Sequence, residues 1–159
     1  MAYEICIYTD GACSGNPGKG GYGVVMELVG TNYRKEFYEG FKLTTNNRME
    51  LLAVIVGLEK INQHNKKVLI VSDSKYVVDA VEKKWVFGWE KIGFKNKKNP
   101  DLWLRFLKVY RKHQVDFKWI KGHNNHPQNE RCDALAVMAS QLPNLSLDAF
   151  YEQESQTIL

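Results

Sequence analysis

The chain has 159 residues, 44% of them hydrophobic, which makes it one domain by size with enough apolar material for a core. No run approaches the roughly 18 apolar residues of a membrane span, and the first residues carry Glu4 and Asp10 without the basic stretch of a secretory leader. Net charge is +4, but residues 83–112 hold ten of the 22 Lys and Arg against only Glu90 and Asp101, a local +8 on a body of −4; such a segment suits a polyanion, or is a solvated helical face.

Residues 3–10 read as a short strand, with Ile5, Ile7 and Tyr8 running into Asp10. The glycine-rich stretch YTDGACSGNPGKGGYG occupies 8–23. Gly18, Gly20 and Gly23 fit G-x-G-x-x-G, but that device needs a helix to open at the glycines and face a pyrophosphate. Here they lead into YGVVMEL, which reads as a strand, and the Walker spacing fails because Cys13 stands five places before Gly18. A hairpin turn is the better account, and Asp10 at the strand end is the residue to follow. Strands at about 21–29 and 32–42 complete an antiparallel meander. TTNNRMELLAVIVGLEKI then changes period, with Leu51, Val54, Ile55, Leu58 and Ile61 at helical spacing and Glu50 near the first turn.

KKVLIVSD (66–73) is a buried strand that again ends in an acid, Asp73, and SKYVVDAVEKK continues as a helix capped by Ser74. Residues 85–99 are short, basic and aromatic, with breaks at Gly88 and Gly93. Pro100-Asp101 opens an amphipathic helix, DLWLRFLKVYRKH. VDFKWI (115–120) is a strand, KGHNNHPQN a loop and ERCDALAVMASQL a helix; residues 143–159 have little periodicity and read as a frayed tail. The order β-β-β-α-β-α-(α)-α-β-α predicts one mixed α/β sheet with helices on both faces. The cysteines Cys6, Cys13 and Cys132 are odd in number, widely spaced and without C-x-x-C, which fits a reducing cytoplasm and no disulfide framework.

If the first and fourth strands lie parallel and adjacent, Asp10 and Asp73 share one sheet edge, where open α/β sheets place their sites. Glu50 and Asp133, early in their helices, can join them. Two carboxylates about 4 Å apart repel by roughly 4 kcal/mol at an effective dielectric of 20, so such a cluster calls for cations. Hard, oxygen-seeking Mg²⁺ or Mn²⁺ fits, and two such ions would clamp the attacking and leaving oxygens of a phosphodiester. Each acid alone is a cap or a surface charge; the joint pattern is what carries the inference. His123 and His126 suit proton transfer beside such a site, and spacing alone does not choose between them. With Cys132 they fall short of a four-ligand zinc set.

YTDGACSGNPG, TTNNRMEL, SDSKYV and KGHNNHPQNERCDALA, in this order and spacing, resemble type 1 ribonuclease H over roughly residues 3–141. The resemblance implies the ribonuclease H-like fold, five strands with three antiparallel and then two parallel, in a catalytic domain at 1–142 followed by a tail at 143–159. It implies a monomeric cytoplasmic endonuclease that cuts the RNA strand of RNA–DNA hybrids, leaving 5′-phosphate and 3′-hydroxyl ends. It implies two Mg²⁺ ions, with Mn²⁺ as a substitute, on Asp10, Glu50, Asp73 and Asp133. It makes His123, after Lys121-Gly122, the catalytic histidine and His126 a structural one. Cys13, Asn16, Asn46 and Asn47 match residues that line the minor groove and feel 2′-hydroxyls. Thr45 and Asn99 match a pocket for a DNA-strand phosphate. Residues 83–99 match a basic protrusion, with Lys83, Lys84, Lys91, Lys95, Lys97 and Lys98 around Trp85, a platform for DNA; viral relatives that lack it rely on a neighbouring domain.

The chain departs from the family pattern in three respects. Leu43 stands where an Arg is frequent, Lys75 where a Gln is frequent in the substrate surface, and Glu90 and Ile92 dilute a slightly shorter protrusion. None touches the four acids. A binding module that holds hybrids without cutting them is the rival from another class, and another nuclease on the same fold, such as a resolvase or integrase core, is the third possibility.

Overall fold

The computed structural model describes residues 2–157. β1 (Ile5–Ser14), β2 (Gly18–Leu28) and β3 (Arg34–Thr44) form the antiparallel meander. β4 (Lys67–Ser72) lies parallel to β1, and β5 (Gln114–Trp119) parallel to β4, giving the order β3-β2-β1-β4-β5. The mixed five-stranded sheet predicted from the element order is therefore the one observed, with the first and fourth strands side by side.

β1 does not end at Asp10. It continues through Gly11–Ser14, paired residue for residue with β2 as far as Ser14↔Lys19. Most of the glycine-rich stretch is thus strand, and the turn shrinks to Gly15–Pro17, with a cis Asn16–Pro17 peptide. Small residues are poor strand formers, so local propensity misses this extension. Their use is close packing: a Cβ on Gly23 would lie 2.3 Å from the Cys132 carbonyl oxygen. Glycine there brings helix α5 (Pro127–Ser140) down onto the sheet.

On the opposite face α1 (Asn46–Glu59) crosses β1 and β2. Thr45 caps it, accepting a hydrogen bond from the Arg48 N–H at 3.2 Å. The apolar spacing predicts a one-sided helix, but every residue from Arg48 to Leu58 is buried. α4 (Pro100–Tyr110) covers its outer side, placing Leu102, Trp103, Phe106 and Leu107 in the same core. Burying each large aliphatic or aromatic side chain there contributes about 1.5–3 kcal/mol, which anchors α1 beside the site.

α2 (Lys75–Glu82) follows β4 with Ser74 as its cap, and α3 (Trp85–Lys91) carries the start of the basic segment. α5 begins at Pro127, three residues earlier than its apolar run suggests, because His126 caps it. The C-terminal segment is not frayed as far as Thr157; Ile158 and Leu159 lie outside the described residues. Ser146 bridges to Phe41 on the β3 edge, Asp148 is buried, and Ala149–Thr157 forms α6. The three cysteines are free thiols.

Candidate active site

β1 and β4 pair only up to Thr9↔Ser72. Beyond that point β1 stays with β2, while β4 ends and leads into Asp73 and the Ser74 cap. Asp10 and Asp73 therefore face each other where the two strands part. Glu50 arrives from α1. At Gly11 a Cβ would lie 2.5 Å from the Glu50 nitrogen, so β1 touches the helix backbone and only glycine fits. The Gly11 N–H donates to Glu50 Oε1 at 2.6 Å and to Asp10 Oδ1 at 2.9 Å.

Asp10, Glu50 and Asp73 each bring a carboxylate oxygen to within 4.8 Å of the others. Asp10 and Glu50 are buried, at 5% and 6% exposure. Burial first, and then the charge of Asp73, push the Asp10 carboxyl up to about 7 against its hydrogen bonds to Glu50 and Gly11. Burial, followed by the charges of Asp10 and Asp73, holds Glu50 well above the usual carboxylate range. An all-oxygen, mutually repelling and largely desolvated donor set is what a hard divalent cation relieves.

Asp133 lies on α5, half-buried. Its charge raises Asp10, but it stands outside the 4.8 Å group. The 121–126 loop closes over Asp73: a Cβ on Gly122 would be 2.8 Å from Asp73 Oδ2. Next in the chain, His123 is exposed to solvent, with φ of 54°. His126 is occupied structurally. Its Nδ1 accepts from the Asn129 N–H at 3.2 Å and its ring lies 5.5 Å from Tyr8.

The hairpin tip is tied to the start of α1. Asn16 Oδ1 accepts from the Asn46 N–H at 3.0 Å, and the Cys13 thiol donates to the Thr44 carbonyl at 3.4 Å. Asn47 is exposed beside them. Asn99 donates through Nδ2 to the Tyr76 hydroxyl at 2.9 Å. Lys75 sits over the Trp119 ring at 4.9 Å, while Trp119 Nε1 donates to the Asp73 carbonyl at 3.0 Å.

In the basic segment Lys83, Lys84, Lys91, Lys95, Lys97 and Lys98 are all exposed. Trp85 is 48% exposed with Lys83 5.3 Å from its ring, whereas Trp89 packs edge-on against buried Trp103. Glu90 hardly dilutes this charge, because Arg111 holds it through two bonds of 2.7 and 2.8 Å.

Arg48 is a residue the motif contains but the sequence assigns no role. It is 2% exposed and donates to Asp101 and to Asp148 at 2.7–2.8 Å. Burial opposes its charge, but the hydrogen bonds to Asp101 and Asp148 win and hold its pKa above the usual arginine value. The signal was an arginine at the head of an apolar helical run, two residues before Glu50; its partner Asp148 gave none.

Residues 2–141 match the family model for RNase H. A ribonuclease H of Desulforamulus reducens is 58% identical over 150 residues, covering 91% of this chain and 92% of that protein. The crystal structure of LC9-RNase H1, a type 1 RNase H with the type 2 active-site motif, superposes with a TM-score of 0.80 at 31% identity, covering 98% of this chain and 82% of that one. LC11-RNase H1, solved in complex with an RNA/DNA hybrid, gives a TM-score of 0.63 at 28% identity over 85% of this chain and 95% of that one. With the sheet order, the acidic cluster at the β1–β4 split and these likenesses together, the chain belongs to the ribonuclease H family, in its bacterial type 1 branch.

Proposed function

We propose that the chain is a metal-dependent endoribonuclease that hydrolyses the RNA strand of RNA–DNA hybrids, acting as a monomer with Mg²⁺ on Asp10, Glu50, Asp73 and Asp133. The observation that carries this is the meeting of three carboxylates from β1, α1 and β4 within 4.8 Å, two of them buried with raised pKa values. When bound, the cations supply the charge that neutralises acids and phosphate together and make water a stronger nucleophile.

The rest is done by the chain. Gly11 fixes the Glu50 carboxylate through its N–H and leaves that side chain one oxygen for a ligand. Trp119 pins the backbone at Asp73. His123, exposed beside Gly122, hands a proton to the departing 3′-oxygen or takes one from water. Cys13, Asn16, Asn46 and Asn47 form the strip that meets the minor groove, where the 2′-hydroxyl separates RNA from DNA. Thr45 and Asn99 hold a DNA-strand phosphate. The exposed lysines and Trp85 meet the DNA strand further along.

A module that only binds hybrids has no use for buried acids that repel phosphate. The hybrid held by LC11-RNase H1 supports the choice of substrate. End-labelled hybrid, RNA duplex and DNA duplex are incubated with Mg²⁺, with Ca²⁺ and with chelator, for the wild type and Asp10→Asn. The expected result is cleavage of the hybrid's RNA strand alone, with Mg²⁺ alone, leaving 5′-phosphates, and none by the variant, which still binds hybrid in Ca²⁺. Cleavage by Asp10→Asn at near wild-type rate removes the carboxylate assignment.

A further inference from the structure

α6 lies beside the residues assigned to the DNA strand. It forms one wall of a cleft of about 460 Å³, with Tyr151, Glu154 and Ser155 on its side and Thr45, Lys98 and Asn99 on the other. This wall is fixed in place. Lys42 and Gly40 exchange backbone hydrogen bonds with Ser146 at 2.9 Å. Two residues on, buried Asp148 accepts from Thr44 Oγ1 at 2.7 Å and from Arg48 Nε at 2.7 Å. The Arg48 guanidinium stands 5.6 Å from the Phe150 ring and 5.9 Å from the Tyr151 ring. The same guanidinium donates to Asn99 Oδ1 at 3.3 Å. One buried cation therefore ties both walls together, and the cleft has a set width.

The two walls differ chemically. Thr45 accepts a hydrogen bond from the Arg48 N–H, which leaves its hydroxyl proton for a phosphate oxygen, and Lys98 adds positive charge. Ser155 already donates to the Tyr151 carbonyl at 2.9 Å, so it contributes space rather than a donor. Tyr151 contributes an aromatic ring with a hydroxyl, a surface that suits the less polar sugar of DNA. Glu154 contributes a carboxylate, unfavourable beside phosphate.

We propose that α6 is part of the hybrid-binding face: one DNA-strand phosphate and its deoxyribose enter between Thr45–Asn99 and the Tyr151–Ser155 wall, and Glu154 weakens their hold. This rests on the assignment of Thr45 and Asn99 to a DNA-strand phosphate. The helix thus sets affinity from a segment that supplies none of the catalytic acids.

The test is steady-state cleavage of a labelled hybrid by the full chain, with thermal melts of every variant. Ser155→Trp fills the cleft and raises KM about tenfold, equivalent to about 1.4 kcal/mol, with kcat unchanged. Glu154→Gln removes the opposing charge and lowers KM about two- to threefold, the scale of one exposed charge interaction. Opposite shifts from neighbouring residues cannot both come from loosening of the helix. Asn99→Ala serves as the reference for the assigned pocket. If Asn99→Ala raises KM while both α6 variants stay within experimental error of the wild type, α6 is a bystander and the inference falls alone. If Asn99→Ala also leaves KM unchanged, the phosphate assignment itself falls and takes this inference with it.

Discussion

Replacing Asp10 by Asn should stabilise the metal-free protein while removing its activity. Without divalent ions the fold holds three carboxylates within 4.8 Å, and Asp10 is only 5% exposed. The folded chain must either keep these charges against their repulsion or take protons from a neutral solution. Asn avoids both. Its Oδ1 still accepts from the Gly11 N–H, and its Nδ2 can donate to a Glu50 carboxylate, whereas the Asp10 carboxylate can only accept from Glu50. Asp10 is raised from 3.8 to about 7 in the folded chain. At 1.36 kcal/mol per pKa unit that corresponds to about 4 kcal/mol at most, so the expected gain is about 2–4 kcal/mol. For a domain of this size the melting temperature should rise by roughly 5–12 °C.

The sign follows from linkage. A carboxyl whose folded pKa lies above its unfolded value contributes stability that is full below the unfolded pKa and is lost as pH rises through the folded pKa. For Asp10 that window runs from 3.8 to about 7, and Glu50 is shifted in the same direction. Urea titrations in chelator at pH 7.5 should show the variant more stable, with the gap closing towards pH 4. Saturating Mg²⁺ should narrow the gap at pH 7.5 by stabilising the wild type more. A variant no more stable than wild type in chelator at pH 7.5, or a gap that persists undiminished at pH 4, refutes the electrostatic account.

His123→Ala should slow cleavage by about 10²–10⁴-fold without abolishing it, the range for a lost proton-transfer group, and leave the melting temperature unchanged. His126→Ala removes the cap bond to Asn129 and should cost about 0.5–2 kcal/mol of stability with a normal chemical step; the reverse pattern means the two histidines are exchanged. Replacing Lys95, Lys97 and Lys98 together by Ala should flatten the salt dependence of hybrid binding by up to roughly 2–3 logarithmic units per decade, while an unchanged slope makes them a solvated face. Trp85→Ala should cost about 1–3 kcal/mol of binding, and because the ring is 48% exposed the melt should barely move. Arg48→Met leaves Asp148 buried without its cation and should destabilise by about 3–5 kcal/mol in urea titrations, a loss that Asp148→Asn in the same chain partly restores.

The parts legible in the sequence share one property: a local pattern fixes them. Two apolar strands ending in acids placed Asp10 and Asp73 together, because parallel neighbours bring equivalent ends to one edge. The change of period at TTNNRMELL marked the start of α1, which Thr45 caps in the structure. What escaped depends on distant partners. β1 outlasts Asp10 because β2 pairs with Gly11–Ser14, although none of those residues favours a strand. α1 looks amphipathic but is buried all round because α4, more than forty residues later in the chain, covers it. α6 has no apolar stripe to announce it, since its anchors are the Ser146 backbone bonds to β3 and the bonds of buried Asp148 to Thr44 and Arg48 rather than a hydrophobic face. Asp133 is close enough to act on Asp10 yet stands outside the tightest group, a distinction of placement that spacing does not carry.

The first turns of α1 carry a comparison internal to the protein. Arg48 and Glu50 are two residues apart, which at about 100° per residue puts them on opposite sides of the helix. Both are buried, at 2% and 6% exposure. On one side the fold answers Arg48 with two carboxylates at 2.7 Å, one from α4 and one from the segment before α6, gathered from as far as Asp148. On the other side it gathers acids again, Asp10 and Asp73, around a residue that is itself an acid, and the Gly11 N–H donates to Glu50 at 2.6 Å. Leaving a buried charge without its opposite costs several kcal/mol, and this chain supplies the opposite where a side chain can serve. The imbalance around Glu50 is therefore not a failure of folding to pair charges. It is room for positive charge that comes from outside the chain, and the cost of keeping that room is the stability that Asp10→Asn should return.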